Sequence, residues 1–351
     1  MSATNAVRPP SPEVARAAAE RLAGLATPPG ALGRLGELGV WFSATQGVVP
    51  PPEATNVRLV IFAGDHGVAT HGVSAYPPAI TSAMVRTFVA GRAGVSALAA
   101  AHGVAVRVLD LGVDDDLVGV PDDVRRRKVR RGSGAIHLED ALTADETRRA
   151  LAVGAAVAGD EIAAGAQLLL SGDMGIGNTT SAAALVAAGL GLPASEVTGR
   201  GTGVDDAGLA RKLEVVDAAL HRAGDRTDDP FETLVALGSA DLAATVGYLV
   251  AAAKAGVPVL LDGLISVACA LTADRMAPGA TAWFAAGHRS TEPAQSLALA
   301  KLGLEPLLDL GMRLGEGSGA VAAVPVVRSA AALMRDVALL AEIAPPTDPA
   351  P

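Results

Sequence analysis

Short apolar runs recur along the chain, and each one stops on glycine accompanied by aspartate or histidine. Residues 57–63 (Val-Arg-Leu-Val-Ile-Phe-Ala) run into Gly64-Asp65-His66-Gly67, and residues 104–109 into Asp110-Leu111-Gly112. Residues 168–170 stop at Ser171-Gly172-Asp173, residues 257–261 at Asp262-Gly263, and residues 282–286 at Gly287-His288-Arg289-Ser290. The length of these runs predicts buried strands, and the alanine-rich stretches between them predict helices. Strands alternating with helices specify an α/β fold with a parallel, Rossmann-like sheet flanked by helices. Ligands of such sheets bind beyond the carboxyl ends of the strands, the edge where the polar residues recur.

The flanks have a different period. Residues 1–12 are polar and proline-bearing and are expected to be disordered. Residues 13–52 are helical. A first helix starts at Pro12 and runs to Leu25, Thr27-Pro28-Pro29-Gly30 breaks it, and a second begins at Leu32 with Leu35 and Leu38 on one face. The proline-rich residues 48–52 make a linker, and 53–290 form the α/β body. Residues 291–345 return to helices around a glycine-rich turn at 311–319, completing a smaller helical domain with the N-terminal segment.

Half of the 351 residues are hydrophobic but only 3% are aromatic, so the core must be built from Ala, Val and Leu. A net charge of −9 argues against nucleic acid as a partner. The basic run Arg125-Arg126-Arg127-Lys128 to Arg130-Arg131 has no interleaved aromatics and reads as a solvated surface segment. Cys269, the single cysteine, excludes an internal disulfide and reads as a small buried hydrophobe. No apolar stretch is long enough to span a membrane, and the N-terminus lacks a signal-peptide core, which makes the cytoplasm the expected location.

Candidate chemistry concentrates in three glycine-rich turns. After the third run come Gly175-Ile176-Gly177, then Asn178-Thr179-Thr180-Ser181 opening an alanine-rich helix. Glycines let the backbone approach an anion, and the first free N–H groups of a helix point at it. The stretch is neither a Walker A loop nor a dinucleotide fingerprint, and an ordinary tight αβ connection has the same local form. Gly199-Arg200-Gly201-Thr202-Gly203 is the second turn, with Lys212 on the following helix either solvated or supplying positive charge to a phosphate. Gly315-Glu316-Gly317-Ser318-Gly319 is the third, its carboxylate either stabilising a helix N-terminus or acting as a general base. His66 and His71 fall short of a metal-ligand set, so no metal is expected; His66 hydrogen-bonds within the site or supports its loop.

Taken together and in order, these motifs resemble the nicotinate-nucleotide–dimethylbenzimidazole phosphoribosyltransferases. The resemblance rests on Pro28-Pro29-Gly30-Ala31-Leu32-Gly33-Arg34-Leu35, Gly64-Asp65-His66-Gly67-Val68 and Gly72-Val73-Ser74-Ala75-Tyr76-Pro77. It continues through Gly172 to Thr180, Gly201-Thr202-Gly203, Asp262-Gly263, Gly287-His288-Arg289-Ser290 and Gly315-Glu316-Gly317-Ser318, spanning residues 28–334. It implies transfer of phosphoribose from nicotinate mononucleotide to dimethylbenzimidazole with inversion at the anomeric carbon. No cofactor is implied, and the family is homodimeric. Residues 53–290 become the nucleotide- and base-binding domain, and the 291–345 segment carries the catalytic turn.

The resemblance makes Glu316 the general base. It puts phosphate and ribose among Asp173, Gly175, Gly177, Asn178, Thr179, Gly203, Lys212, Gly263 and Ser290. Ser74, Tyr76, Ala83, Met84 and Met174 line the base pocket. Asp173 stands where the family often has Glu, keeping the charge with a shorter reach. Ala83 stands where many relatives have Gln, which removes an amide and implies tolerance of other bases. A hydrolase releasing nicotinate to water and a non-catalytic nucleotide-binding regulator are the rival readings; acceptor dependence and a Glu316 substitution separate them.

Overall fold

A computed structural model describes residues 6–343. Five parallel strands form one sheet: β1 Val57–Gly64, β2 Ala105–Gly112, β3 Leu168–Met174, β4 Val259–Leu261 and β5 Phe284–Ala286, in the order β2-β1-β3-β4-β5. The helices of eight or more residues are α1 Pro12–Gly24, α2 Gly33–Gln46, α3 Ile80–Val89, α4 Gly94–Ala101, α5 Ala144–Ala163 and α6 Asn178–Leu190. They continue as α7 Asp206–Ala223, α8 Pro230–Leu237, α9 Ala240–Ala255, α10 Leu264–Met276, α11 Pro293–Leu302 and α12 Ser318–Asp336. No helix among the described residues is long and apolar enough to cross a membrane.

Every predicted strand is present, with shifted ends. β3 runs past Ser171 to Met174, because Ser171, Gly172 and Asp173 pair with Val60, Ile61 and Phe62 of β1. Backbone pairing there overrides a polar, glycine-bearing sequence. β5 starts late, since Ala280–Trp283 is a 3-10 turn.

The alanine-rich composition has a packing consequence. α5 and α9 cross so closely that a Cβ on Gly154 would overlap the Ala244 carbonyl, and one on Gly247 would overlap the Leu151 carbonyl. α9 in turn packs on β1, β2, β3 and β4, with Tyr248 wholly buried against Phe62 at a ring separation of 5.4 Å. Cys269 is buried, as expected.

The chain divides into two compact units. The larger comprises Met1–Arg8 and Asn56–Ala323; the smaller comprises Pro9–Thr55 and Val324–Pro351. In the smaller, Ala18, Leu25 and Met334 form the core, and Gly39 leaves room for the Met334 side chain. The Gly315–Gly319 turn falls within the larger unit, and the smaller unit's C-terminal portion begins at Val324.

Two expectations need correcting. Of residues 1–12, expected to be disordered, 1–5 lie outside the described residues. Val7, however, is buried and donates its N–H to the Pro278 carbonyl, while Arg8 accepts from the Trp283 indole. An apolar side chain and an indole lacking another acceptor tie this segment down. The basic run is not freely solvated either. Lys128 pairs with the buried Asp110 at 3.0 Å, Arg127 with Asp160 at 2.7 Å and Arg130 with Glu146 at 3.1 Å.

Candidate active site

The carboxyl ends of the strands open into a cavity of about 640 Å³. The turn after β1 carries His66. The ring is buried, with Nδ1 3.1 Å from Ser181 Oγ and Nε2 3.3 Å from Asp241 Oδ2, so it ties the first turn of α6 to α9. His66 therefore supports the loop, one of the two roles expected of it. Among the described residues no cluster of His, Cys, Asp and Glu is arranged to hold a metal.

β3 delivers Asp173, whose Oδ2 accepts from Asn178 Nδ2 at 2.7 Å. Burial raises the Asp173 carboxyl well above its ordinary range, and the charges of Asp262, Asp241 and Glu316 push the same way. Gly177, at φ +91°, is the N-cap of α6 and turns the chain where a side chain would be strained. The first turn of α6, with Asn178 and Thr179, faces the cavity.

Lys212 lies behind this turn, fully buried, and donates to Thr179 Oγ1 at 2.8 Å and to the Gly199 carbonyl at 3.0 Å. Burial lowers its pKa to about 8, against the attraction of Glu292 at 4.0 Å. Glu292 is itself buried and accepts from Gly201 N–H at 2.7 Å. Two buried groups of opposite charge, close to each other, thus both hold the 199–203 loop.

Glu316 stands across the cavity at φ +67°; with Leu117 it is one of the two described non-glycine residues of positive φ. Strain of that kind costs ~1–2 kcal/mol and persists only where surroundings enforce it. Gly172 accommodates the Glu316 carbonyl at a position any Cβ would occupy. The side chain is buried, and its Oε2 accepts from Val95 N–H at the start of α4, 2.9 Å away. Burial raises its pKa; the Val95 bond opposes this, and the charge of Asp262 adds to it.

The expected residues divide as follows. Ser74, Tyr76, Met84 and Met174 line one part of the cavity, alongside Ile176 and Leu314. Asp173, Gly175, Gly177, Asn178 and Thr179 line another, and Gly263, Ser290 and Glu316 close it. Gly203, Lys212 and Ala83 are not in its wall. Lys212 acts from behind Thr179, Gly203 lies against Arg313, and Ala83 is exposed on α3, where its single methyl group does not reach the cavity. Arg200, Arg313, Asp262, His288 and Glu292 line the cavity without having been singled out as site residues. Asp262 and His288 belong to recognised motifs and Arg200 to the second glycine-rich turn, so these could have been weighed; Arg313 and Glu292 carry no local signal.

An anion cradle, a buried lysine behind it and a facing carboxylate, all at the carboxyl edge of a parallel sheet, suit an enzyme that moves a phosphorylated sugar. Residues 7–344 match the family model described as phosphoribosyltransferase, and the chain belongs to that family. Its named relatives are more specific. The chain is 54% identical over 337 residues to the nicotinate-nucleotide–dimethylbenzimidazole phosphoribosyltransferase of Mycobacterium avium (strain 104), covering 96% of each. It is 50% identical over 336 residues to the enzyme of the same name from Mycobacterium tuberculosis, covering 96% of this chain and 92% of that one. The crystal structure of CobT from Thermus thermophilus superposes with a TM-score of 0.89 at 45% identity, covering 94% of this chain and 98% of that one.

Proposed function

We propose that this protein transfers the phosphoribosyl group of nicotinate mononucleotide to 5,6-dimethylbenzimidazole or a related base. The products are nicotinate and α-ribazole 5′-phosphate, with inversion at the anomeric carbon. The glycosidic C–N bond breaks with its electron pair going to the pyridinium nitrogen, so nicotinate leaves with no need for a strong acid. A benzimidazole ring nitrogen forms the new bond from the opposite face, and the ring N–H proton passes to Glu316. Phosphate rests against the first turn of α6, and Lys212 reinforces it through the Thr179 hydroxyl. Tyr76, Met84 and Met174 offer flat or polarisable faces to the base. By the same resemblance the enzyme is a cytoplasmic homodimer, and light scattering on the purified protein tests the oligomeric state.

The observation that carries this reading is Glu316: a buried carboxylate of raised pKa, on a strained turn facing an anion cradle. The test is to incubate the enzyme with nicotinate mononucleotide, with and without dimethylbenzimidazole, beside Glu316→Gln. Nicotinate and an α-ribotide forming together, only with the base and at least about 100-fold slower in the variant, is the expected result. Nicotinate released without any acceptor would make the protein a hydrolase. Unchanged turnover in Glu316→Gln would remove the carboxylate from the chemistry.

A further inference from the structure

We propose that Asp262 is the positioning residue for Glu316, gripping both ends of the first turn of α12 so that the strained turn before it cannot relax. This rests on the role given to Glu316 above. Val321 donates to the Gly317 carbonyl at 3.0 Å, which makes Gly317 the N-cap of α12. A glycine has no side chain with which to cap. In the usual capping box, the N-cap side chain accepts from the third helical residue, whose own side chain accepts from the N-cap N–H. Here one carboxylate from another element does both: Asp262 Oδ2 accepts from Gly317 N–H at 3.1 Å, and Oδ1 from Ala320 N–H at 2.9 Å.

Asp262 is itself immobile. It follows β4 directly, is wholly buried, and its carbonyl accepts from Gln295 Nε2 at 3.3 Å. His288 Nε2 lies 3.4 Å from Oδ1, and the His288 ring fills the space a side chain on Gly319 would need.

The consequence falls on the residue just before the cap. Gly315, Glu316 and Gly317 have φ of +77°, +67° and +91°, a left-handed run that glycine tolerates and glutamate resists. Without Asp262, two buried N–H groups lose their acceptor, and the turn gains a reason to rearrange. Glu316 would then leave the position from which Oε2 reaches Val95. The charged groups facing Glu316 are Asp262 and Asp173, with His288 behind Asp262. Loss of the Asp262 charge lowers the proton affinity of Glu316, so the acid limb of the rate profile moves to lower pH.

The test compares wild type, Asp262→Asn, Glu316→Gln and the double variant in transfer from nicotinate mononucleotide to dimethylbenzimidazole. Asparagine offers one acceptor where two are needed and turns a donor toward the second N–H. Expected is a fall in kcat of about 100-fold, with KM for the nucleotide within about 3-fold and the acid limb displaced downward. In the Glu316→Gln background the same change should cost less than about 3-fold, since the residue it positions is already disabled. An equal cost in both backgrounds, or an unchanged kcat and pH limb, would overturn the proposal. Should Asp262→Asn not fold, amide exchange in wild type decides: Gly317 and Ala320 must be strongly protected, and exchange at open-chain rates would sink the idea. Wild type and Glu316→Gln alike in turnover would fault the general-base reading instead.

Discussion

Replacing Lys212 with methionine isolates the energetics of a buried cation beneath the first turn of α6. Burial lowers the Lys212 pKa from 10.5 to about 8. Below pH 8 both folded and unfolded chains hold the proton, and stability does not vary with this group. Between pH 8 and 10.5 the unfolded chain keeps the proton while the folded one has released it, so stability rises with pH. A difference of 2.5 units (10.5 − 8), at 1.36 kcal/mol per unit, gives a rise of about 3 kcal/mol across that window. Urea midpoints from pH 7 to 10.5 measure it, and subtracting the Lys212→Met curve cancels the tyrosines and other lysines. The wild-type advantage should grow through the window by that amount. A bound phosphate monoester restores the lysine's affinity for its proton, so ligand binding near pH 9 should take up protons, seen by calorimetry in buffers of differing ionisation enthalpy. Parallel stability curves for the two proteins would refute the reasoning.

Other outcomes follow from single contacts. Gly154→Ala drives a methyl group into the Ala244 carbonyl between α5 and α9, backbone against backbone, and should cost about 3 kcal/mol or more; an unchanged urea midpoint would discredit that crossing. Arg313 lines the cavity beside Gly203, and a nicotinate nucleotide brings a carboxylate as well as a phosphate. Arg313→Ala should raise KM for the nucleotide about 10-fold and leave that for the base nearly unchanged; equal effects on both would remove the arginine from nucleotide binding.

Much of the sheet could be read from the chain because each strand announces itself twice, by an apolar run and by the glycine with aspartate or histidine that ends it. The exception is instructive. Ser171 to Asp173 look like a turn, yet they pair with β1, since a ladder needs only backbone groups. Cavity-lining residues were legible where they sit in glycine-rich turns, as with Gly175, Gly177 and Glu316. Asp262 stood in a recognised motif, but its task depends on amides 55 and 58 residues away, which no local pattern encodes. Glu292 and Lys212 are likewise far apart in sequence and meet only around the 199–203 loop. The pairing of the basic run with Asp110, Glu146 and Asp160 was hidden for the same reason.

The hydrogen bond between Glu316 and Val95 joins residues 221 positions apart, so the carboxylate is made long after the helix on which it docks. β1 to β3 and the first turn of α6 all precede Glu316 in the chain, and α9, which packs on those strands, is made between them. Such long-range closure slows folding. The corner of the cavity that holds Glu316 thus joins an early and a late part of the chain, and a break before residue 316 leaves the Val95 N–H without this acceptor.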